Sequence, residues 1–136
     1  LYILLAAYNT KRLAKLNITE NQAELLLSFV AQFKERIITP HTLAEMSNLA
    51  KRILKDEFPI FIQCITPLLY EIKERQIDKD SILKQGKMNM HFGITDTALF
   101  LSSDHDLLLT SDFSLFQYCY NLNKEVMHTE SIFSKF

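Results

Sequence analysis

Two glycines and three prolines in 136 residues leave this backbone few places to reverse sharply or to break. Because 48% of the residues are hydrophobic, the chain is driven toward regular, helix-rich structure packed on a core and away from a disordered or loop-rich state. A chain of this length closes one hydrophobic core without disulfides or structural metal, which predicts a single domain over residues 1–136. No run reads as a membrane span.

The few breaks divide the chain into segments. Leu1 to Leu16 reads as a helix stopped at Asn17, and a second helix runs from a Thr19 cap to Glu35, with Leu26, Phe29, Val30 and Phe33 at helical spacing. Arg36 to Thr39 is a short β-branched run ended by Pro40, which fits a buried strand turning into a helix. That helix extends to Lys55 with Leu43, Met46, Ala50, Ile53 and Leu54 on one face. Phe58 to Tyr70 is a nearly continuous apolar helix that Pro67 should kink or end. Glu71 to Ile77 is undecided between a short strand and a helix end. Asp80 or Ser81 can cap a helix to Met90, and after a turn at Gly93, Thr95 can cap another to Ser103. Leu107 to Thr110 is the clearest buried strand. A helix from Asp112 to Leu122 follows, with Phe113, Phe116, Cys119 and Tyr120 on its buried side, and Glu125 to His128 reads as a last short strand. Short strands alternating with helices predict an α/β sandwich with a mainly parallel sheet.

Charge is nearly balanced, at a formal −1, so the chain lacks the positive excess that announces nucleic-acid binding. Local clusters persist at Lys11, Arg12 and Lys15 and at Lys51, Arg52 and Lys55, where solvated helix faces are the simpler account. Cys64 and Cys119 each sit in an apolar helical pattern with no secretory segment recognisable, which predicts reduced, buried thiols in a cytoplasmic protein.

In an open α/β sheet, ligands bind in the crevice beyond the carboxyl ends of the strands. Three acids occupy such positions: Glu45 after the Ile37-Ile38 run, Asp96 after the Gly93 turn and Asp112 after the Leu107 to Thr110 strand. At ~100° per residue, Glu45 falls beside the apolar stripe of its helix and not within it. Three carboxylates in one crevice repel each other unless a divalent cation neutralises them, which points to Mg²⁺ or Mn²⁺. Taken singly, Asp96 and Asp112 are also accounted for as favourable charges in the first turn of a helix.

Three segments carry a family resemblance: Ile38-Thr39-Pro40-His41-Thr42-Leu43-Ala44-Glu45-Met46-Ser47-Asn48-Leu49, then Gly93-Ile94-Thr95-Asp96-Thr97-Ala98-Leu99, then Leu108-Leu109-Thr110-Ser111-Asp112-Phe113. In order and spacing the chain resembles the PIN domains, a family that includes VapC-type toxin ribonucleases, over essentially its whole length. The resemblance implies a three-layer α/β/α sandwich with a metal-dependent, single-strand-specific endoribonuclease site at the carboxyl edge of the sheet. It also implies single-stranded RNA as substrate and, for a toxin of a toxin-antitoxin pair, an antitoxin protein as partner. The family pattern begins with an Asp at the end of the first strand, whereas here no acid precedes Glu20. Leu1 to Tyr8 matches the helix that would follow, so the first strand and its Asp are expected upstream and the chain reads as N-terminally truncated.

On this reading Asp96 and Asp112 are direct or water-mediated metal ligands, and Glu45 is a ligand that also orients the attacking water. Thr110 and Ser111 are candidates for contacts to phosphate or to a metal-bound water. The alternative is a catalytically inactive PIN-like module that binds RNA or a protein. A flavodoxin-like or receiver domain fits less well, because its paired acids follow an early strand and its Lys a late one. His41, one turn before Glu45, has no second His to complete a zinc set. Asp104-His105-Asp106 precedes a strand and is expected at the opposite edge as a polar loop. The apolar segments Leu1 to Tyr8 and Phe58 to Tyr70 offer a homodimer surface as readily as core.

Overall fold

The computed structural model describes residues 1–134. Helices dominate it: α1 (Tyr2–Tyr8), a 3-10 segment (Thr10–Leu16), α2 (Glu20–Ala31), α3 (Pro40–Leu54), a 3-10 turn (Lys55–Glu57), α4 (Phe58–Glu71), α5 (Lys79–Leu83), α6 (Gly86–Phe92), α7 (Ile94–Ser102), α8 (Phe113–Asn121) and α9 (Thr129–Phe133). The strands are β1 (Ile37–Ile38), β2 (Lys73–Glu74), β3 (Leu108–Thr110) and β4 (Val126–His128). β1 pairs with β2 and β3 with β4, both in parallel, as two separate two-stranded sheets.

This architecture overturns the expected three-layer sandwich. The fold is 69% helix and 7% strand, and among the described residues no ladder joins the two strand pairs. The physical reason lies at the strand ends. Thr39 leaves the β1 run to become the cap of α3, its hydroxyl accepting from the Thr42 N–H at 3.2 Å, and Pro40 has no N–H for a ladder. Thr110 likewise ends β3 by accepting from the Asp112 N–H at 3.1 Å. Runs cut to two or three residues are too short to carry helices across both faces of a sheet.

Local chemistry sets the helix bounds. Asn9 interrupts the first expected helix by accepting from the Lys11 N–H, so a 3-10 segment replaces its second half, and Asn17 closes it in the left-handed region at φ 59°. Thr19 and Gln22 form a reciprocal capping box at the start of α2. Pro67 does not break α4, which runs on to Glu71; a neighbouring hydroxyl, Thr66 Oγ1, bonds the Ile62 carbonyl at 2.6 Å. Asp78, and not Asp80 or Ser81, caps α5, and the expected helix to Met90 is two short ones, α5 and α6. Gly93 replaces Thr95 as the residue that opens α7.

Two apolar clusters form the interior. The larger joins α1, α2, α3, α4 and α9 around Leu5, Leu13, Leu26, Ala50, Phe61 and Ile65, all fully buried. The smaller gathers Met88, Leu108, Leu115 and Cys119. The β3–β4 pair lies between them: Leu108 and Val126 face the small cluster, whereas Leu109 and Met127 pack on the large one. That division follows from the two-residue period of a strand. Cys64 is exposed on α4, contrary to expectation, because Phe61 and Ile65 form that helix's buried face; Cys119 is buried, and both thiols are free. No helix among the described residues is long and apolar enough to cross a membrane.

Candidate acidic site

Each of the three acids is placed by a local device at the start of a helix. α3 begins at Pro40 behind the fully buried Thr39 cap, which sets Glu45 in the second turn, exposed to solvent. α7 begins at Gly93, whose backbone stands at φ 90°, ψ 171°. That region is closed to residues with a Cβ, although a Cβ there would meet nothing within 4 Å; conformation and not crowding calls for glycine. The Gly93 carbonyl accepts from both the N–H and the hydroxyl of Thr97, which fixes the first turn and, with it, Asp96. Asp112 is itself the cap of α8, its Oδ1 accepting from the Leu115 N–H at 2.9 Å.

α3 packs against α7, and Asp96 feels the charges of Asp112 and Glu45. Asp96 is half-buried, and its pKa is pushed up to about 6, first by desolvation and then by the negative charges of Asp112 and Glu45. A carboxylate in the first turn of a helix is ordinarily stabilised by the helix dipole; here burial and like charge outweigh that gain. Of the three acids, Asp96 is the one whose proton affinity registers the charges of the other two.

The convergence stops short of a closed chelate. Among the described residues no three His, Cys, Asp or Glu side chains stand in a metal-ligating arrangement. Two features bear on this: Asp112 spends one oxygen on its cap, and Glu45 is exposed to solvent. In kind, the donors fit a hard cation, since all three are carboxylates and no soft ligand joins them.

The neighbouring groups are mostly structural. Thr110 Oγ1 accepts from the Asp112 N–H and retains its own proton for donation. The Ser111 carbonyl takes a bond from His128 Nε2 at 3.0 Å, while His128 Nδ1 accepts from the Glu130 N–H at 3.2 Å, which fixes the neutral tautomer with its proton on Nε2. His41 has a buried Nδ1 without a partner and no hydrogen bond to Glu45 among the described residues. Asp104 is paired with Lys124 and Asp106 with Arg75, so the Asp104-His105-Asp106 loop is held by ion pairs as a polar loop ahead of β3. Of the basic clusters, Arg12 is engaged by Glu57, which also accepts from Tyr8; Lys11, Lys15, Lys51, Arg52 and Lys55 are exposed.

Sequence reasoning misplaced the aromatic residues beside the site. Phe113 and Tyr120 are 61% and 64% exposed, and the buried face of α8 is Leu115 and Cys119. Helical spacing alone fits either face; the discriminating signal is that Phe113 lies two residues, about 200°, from Leu115. No protein-family model, curated protein or solved structure matches the chain.

Proposed function

We propose that Glu45, Asp96 and Asp112 form a divalent-cation site, for Mg²⁺ or Mn²⁺, at which this protein hydrolyses phosphodiester bonds of single-stranded RNA. What carries this reading is the placement of Asp96, half-buried in the first turn of α7 where α3 packs against it and subject to the charges of two acids from other helices. Uncompensated like charge of this kind is costly, and binding of a dication is the direct way to relieve it. Bound there, the ion would neutralise phosphate charge and acidify its own water.

The chain's own groups divide the remaining work. Asp96, set on a rigid helix start, is the anchoring carboxylate, and its charge is fully available only above about pH 6. Asp112 is held by its cap bond to Leu115 and presents a fixed charge. Glu45, exposed to solvent, is suited to orient water and accept its proton. Thr110 is suited to donate its hydroxyl proton to a phosphate oxygen. A toxin role with an antitoxin partner, a cytoplasmic setting and a homodimer are compatible extensions that rest on the resemblance to PIN domains and on the apolar segments.

A second reading, a PIN-like module that binds RNA or protein without cleaving it, is favoured by the open arrangement of the carboxylates and by Asp112 serving as a cap. Cleavage of labelled single-stranded RNA with Mn²⁺ separates the two. The nuclease reading predicts metal-dependent products that Asp96→Asn and Glu45→Gln abolish and that Asp104→Asn leaves unchanged. Cleavage by Asp96→Asn equal to wild type, or no metal-dependent cleavage of varied RNAs, leaves the binding module.

A further inference from the structure

Lys11, Arg12 and Lys15 and, far along the chain, Lys51, Arg52 and Lys55 are two separate basic clusters in sequence, and the fold joins them. Arg12, in the 3-10 segment Thr10–Leu16, bridges to Glu57 of the Lys55–Glu57 turn, and Tyr8 donates its hydroxyl to the same carboxylate. Side chains at i and i+3 eclipse on a 3-10 helix, so Lys15 shares the face of Arg12 that meets this turn. Lys11, Lys15, Lys51, Arg52 and Lys55 are exposed, and among the described residues none of the five is ion-paired. The acids within these two stretches are Asp56 and Glu57, so the joined surface is strongly positive in a chain whose net charge is −1. A helix C-terminus attracts cations, which accounts for Lys51 and Arg52 in the last turn of α3. It does not account for a second basic cluster brought against that end.

We propose that this joined basic surface binds the phosphate backbone of single-stranded RNA. The proposal rests on the RNA reading above and names where the strand is held outside the acidic site. Charge complementarity selects a polyanion, and the neighbouring side chains select which kind. None of the large exposed apolar residues falls in Thr10–Leu16 or Pro40–Glu57, where Ala14 and Ala44 are the exposed apolar positions. A protein partner is held by buried aromatic and aliphatic anchors in an interface poor in lysine, and a membrane surface by inserted apolar side chains. Phosphates need neither. Lysine and arginine displace the counterions of a nucleic acid whatever its bases, so binding is independent of sequence and falls steeply with salt. On α3, Arg52 stands two turns beyond Glu45, about 10 Å along the axis and within ~20° of its face. It supplies there the positive charge that the three acids cannot offer a phosphate.

Binding of the whole chain to a fluorescein-labelled oligouridylate is followed by fluorescence anisotropy over a series of KCl concentrations, in EDTA so that metal-dependent cleavage is silent. Wild type is compared with Lys11→Gln/Lys15→Gln, with Arg52→Gln/Lys55→Gln and with a control pair on another surface, Lys84→Gln/Lys87→Gln. All six positions are exposed, and Arg12 is left in place because it ties the two segments together. With roughly five phosphate contacts, log affinity should fall against log salt with a slope of about −3.5, and each basic-surface pair should reduce that slope by about 1.4. Each should also weaken binding about tenfold at low salt, while the control pair does little and an oligoadenylate behaves like the oligouridylate. Affinity and slope unchanged in both basic-surface pairs would overturn the proposal, as would an equal loss in the control pair. So would phosphatidylserine vesicles or polyglutamate that bind more tightly than RNA and lose their binding in the same variants. Surface-dependent RNA binding without Mn²⁺-dependent cleavage by wild type sinks the nuclease reading and keeps the surface; cleavage whose KM neither basic-surface pair moves does the reverse.

Discussion

Asp96 is more basic in the fold than in water because desolvation and the charges of Asp112 and Glu45 all penalise its ionised form. The sign of the linkage follows. Below the ordinary carboxylate pKa the group is neutral in both states and costs nothing. As pH rises from about 4 to about 6 the unfolded chain releases its proton first, so the native state loses stability and stays penalised above pH 6. At ~1.4 kcal/mol per tenfold change in proton affinity, and allowing for solvent screening, the penalty is on the order of 1–2 kcal/mol. Asp96→Asn should therefore stabilise the metal-free protein by about that amount at pH 7 and by nothing at pH 3.5, as read by denaturant unfolding; a variant no more stable at pH 7 would contradict the assignment. Asp112 separates two roles by substitution. Asn caps a helix as well as Asp does, so Asp112→Asn should keep stability while losing charge, whereas Asp112→Ala should cost about 1 kcal/mol; equal stability of the two would remove the cap from the account. At this scale much was legible, because Asn17, Thr19 and Gly93 act through their own backbone neighbourhood. Cys64 and Phe113 were not, because an apolar residue at helical spacing does not say which face its helix buries.

Helices were readable as elements because their apolar stripes repeat every turn; Met46, Ala50 and Leu54 are the buried line of α3 that the pattern predicts. Strands were readable in place but not in extent, since Thr39 and Thr110 turn their hydroxyls to helix starts and cut the ladders short. What holds the two strand pairs in mutual position was not visible in the sequence at all. Arg75, just after β2, donates its backbone N–H to Ile38 and its guanidinium to the Ser102 carbonyl and the Asp106 carboxylate. One side chain thus ties the β1–β2 pair to the end of α7 and the loop before β3. Arg75→Met keeps the aliphatic stem and removes the ties, and should destabilise by about 1–3 kcal/mol. Because the ion pair is half-exposed, most of that loss should survive 1 M salt if the carbonyl bond dominates. Loss below ~0.5 kcal/mol in denaturant melts would show that packing alone holds the pairs together.

The whole molecule departs most from what the sequence promised. Alternating short strands and helices argued for layers, but the interior is two apolar clusters of mainly helical residues with the β3–β4 pair between them. The acidic site falls where these bodies meet, with Glu45 on a helix of the larger cluster and Asp96 and Asp112 at helix starts beside the smaller one. Local pattern places residues on elements and leaves open which elements abut, which is why the open arrangement of the three acids was not legible. The central claim is that these acids form one coupled site able to take a dication. Its most direct test is an NMR titration of the Asp96 side-chain carboxyl in wild type, in Glu45→Gln, in Asp112→Asn and in wild type with saturating Mg²⁺. The account predicts a pKa of about 6 in wild type, a lower value in each variant, and the lowest with Mg²⁺. An ordinary carboxylate pKa near ~4, unmoved by either substitution or by the cation, would contradict it.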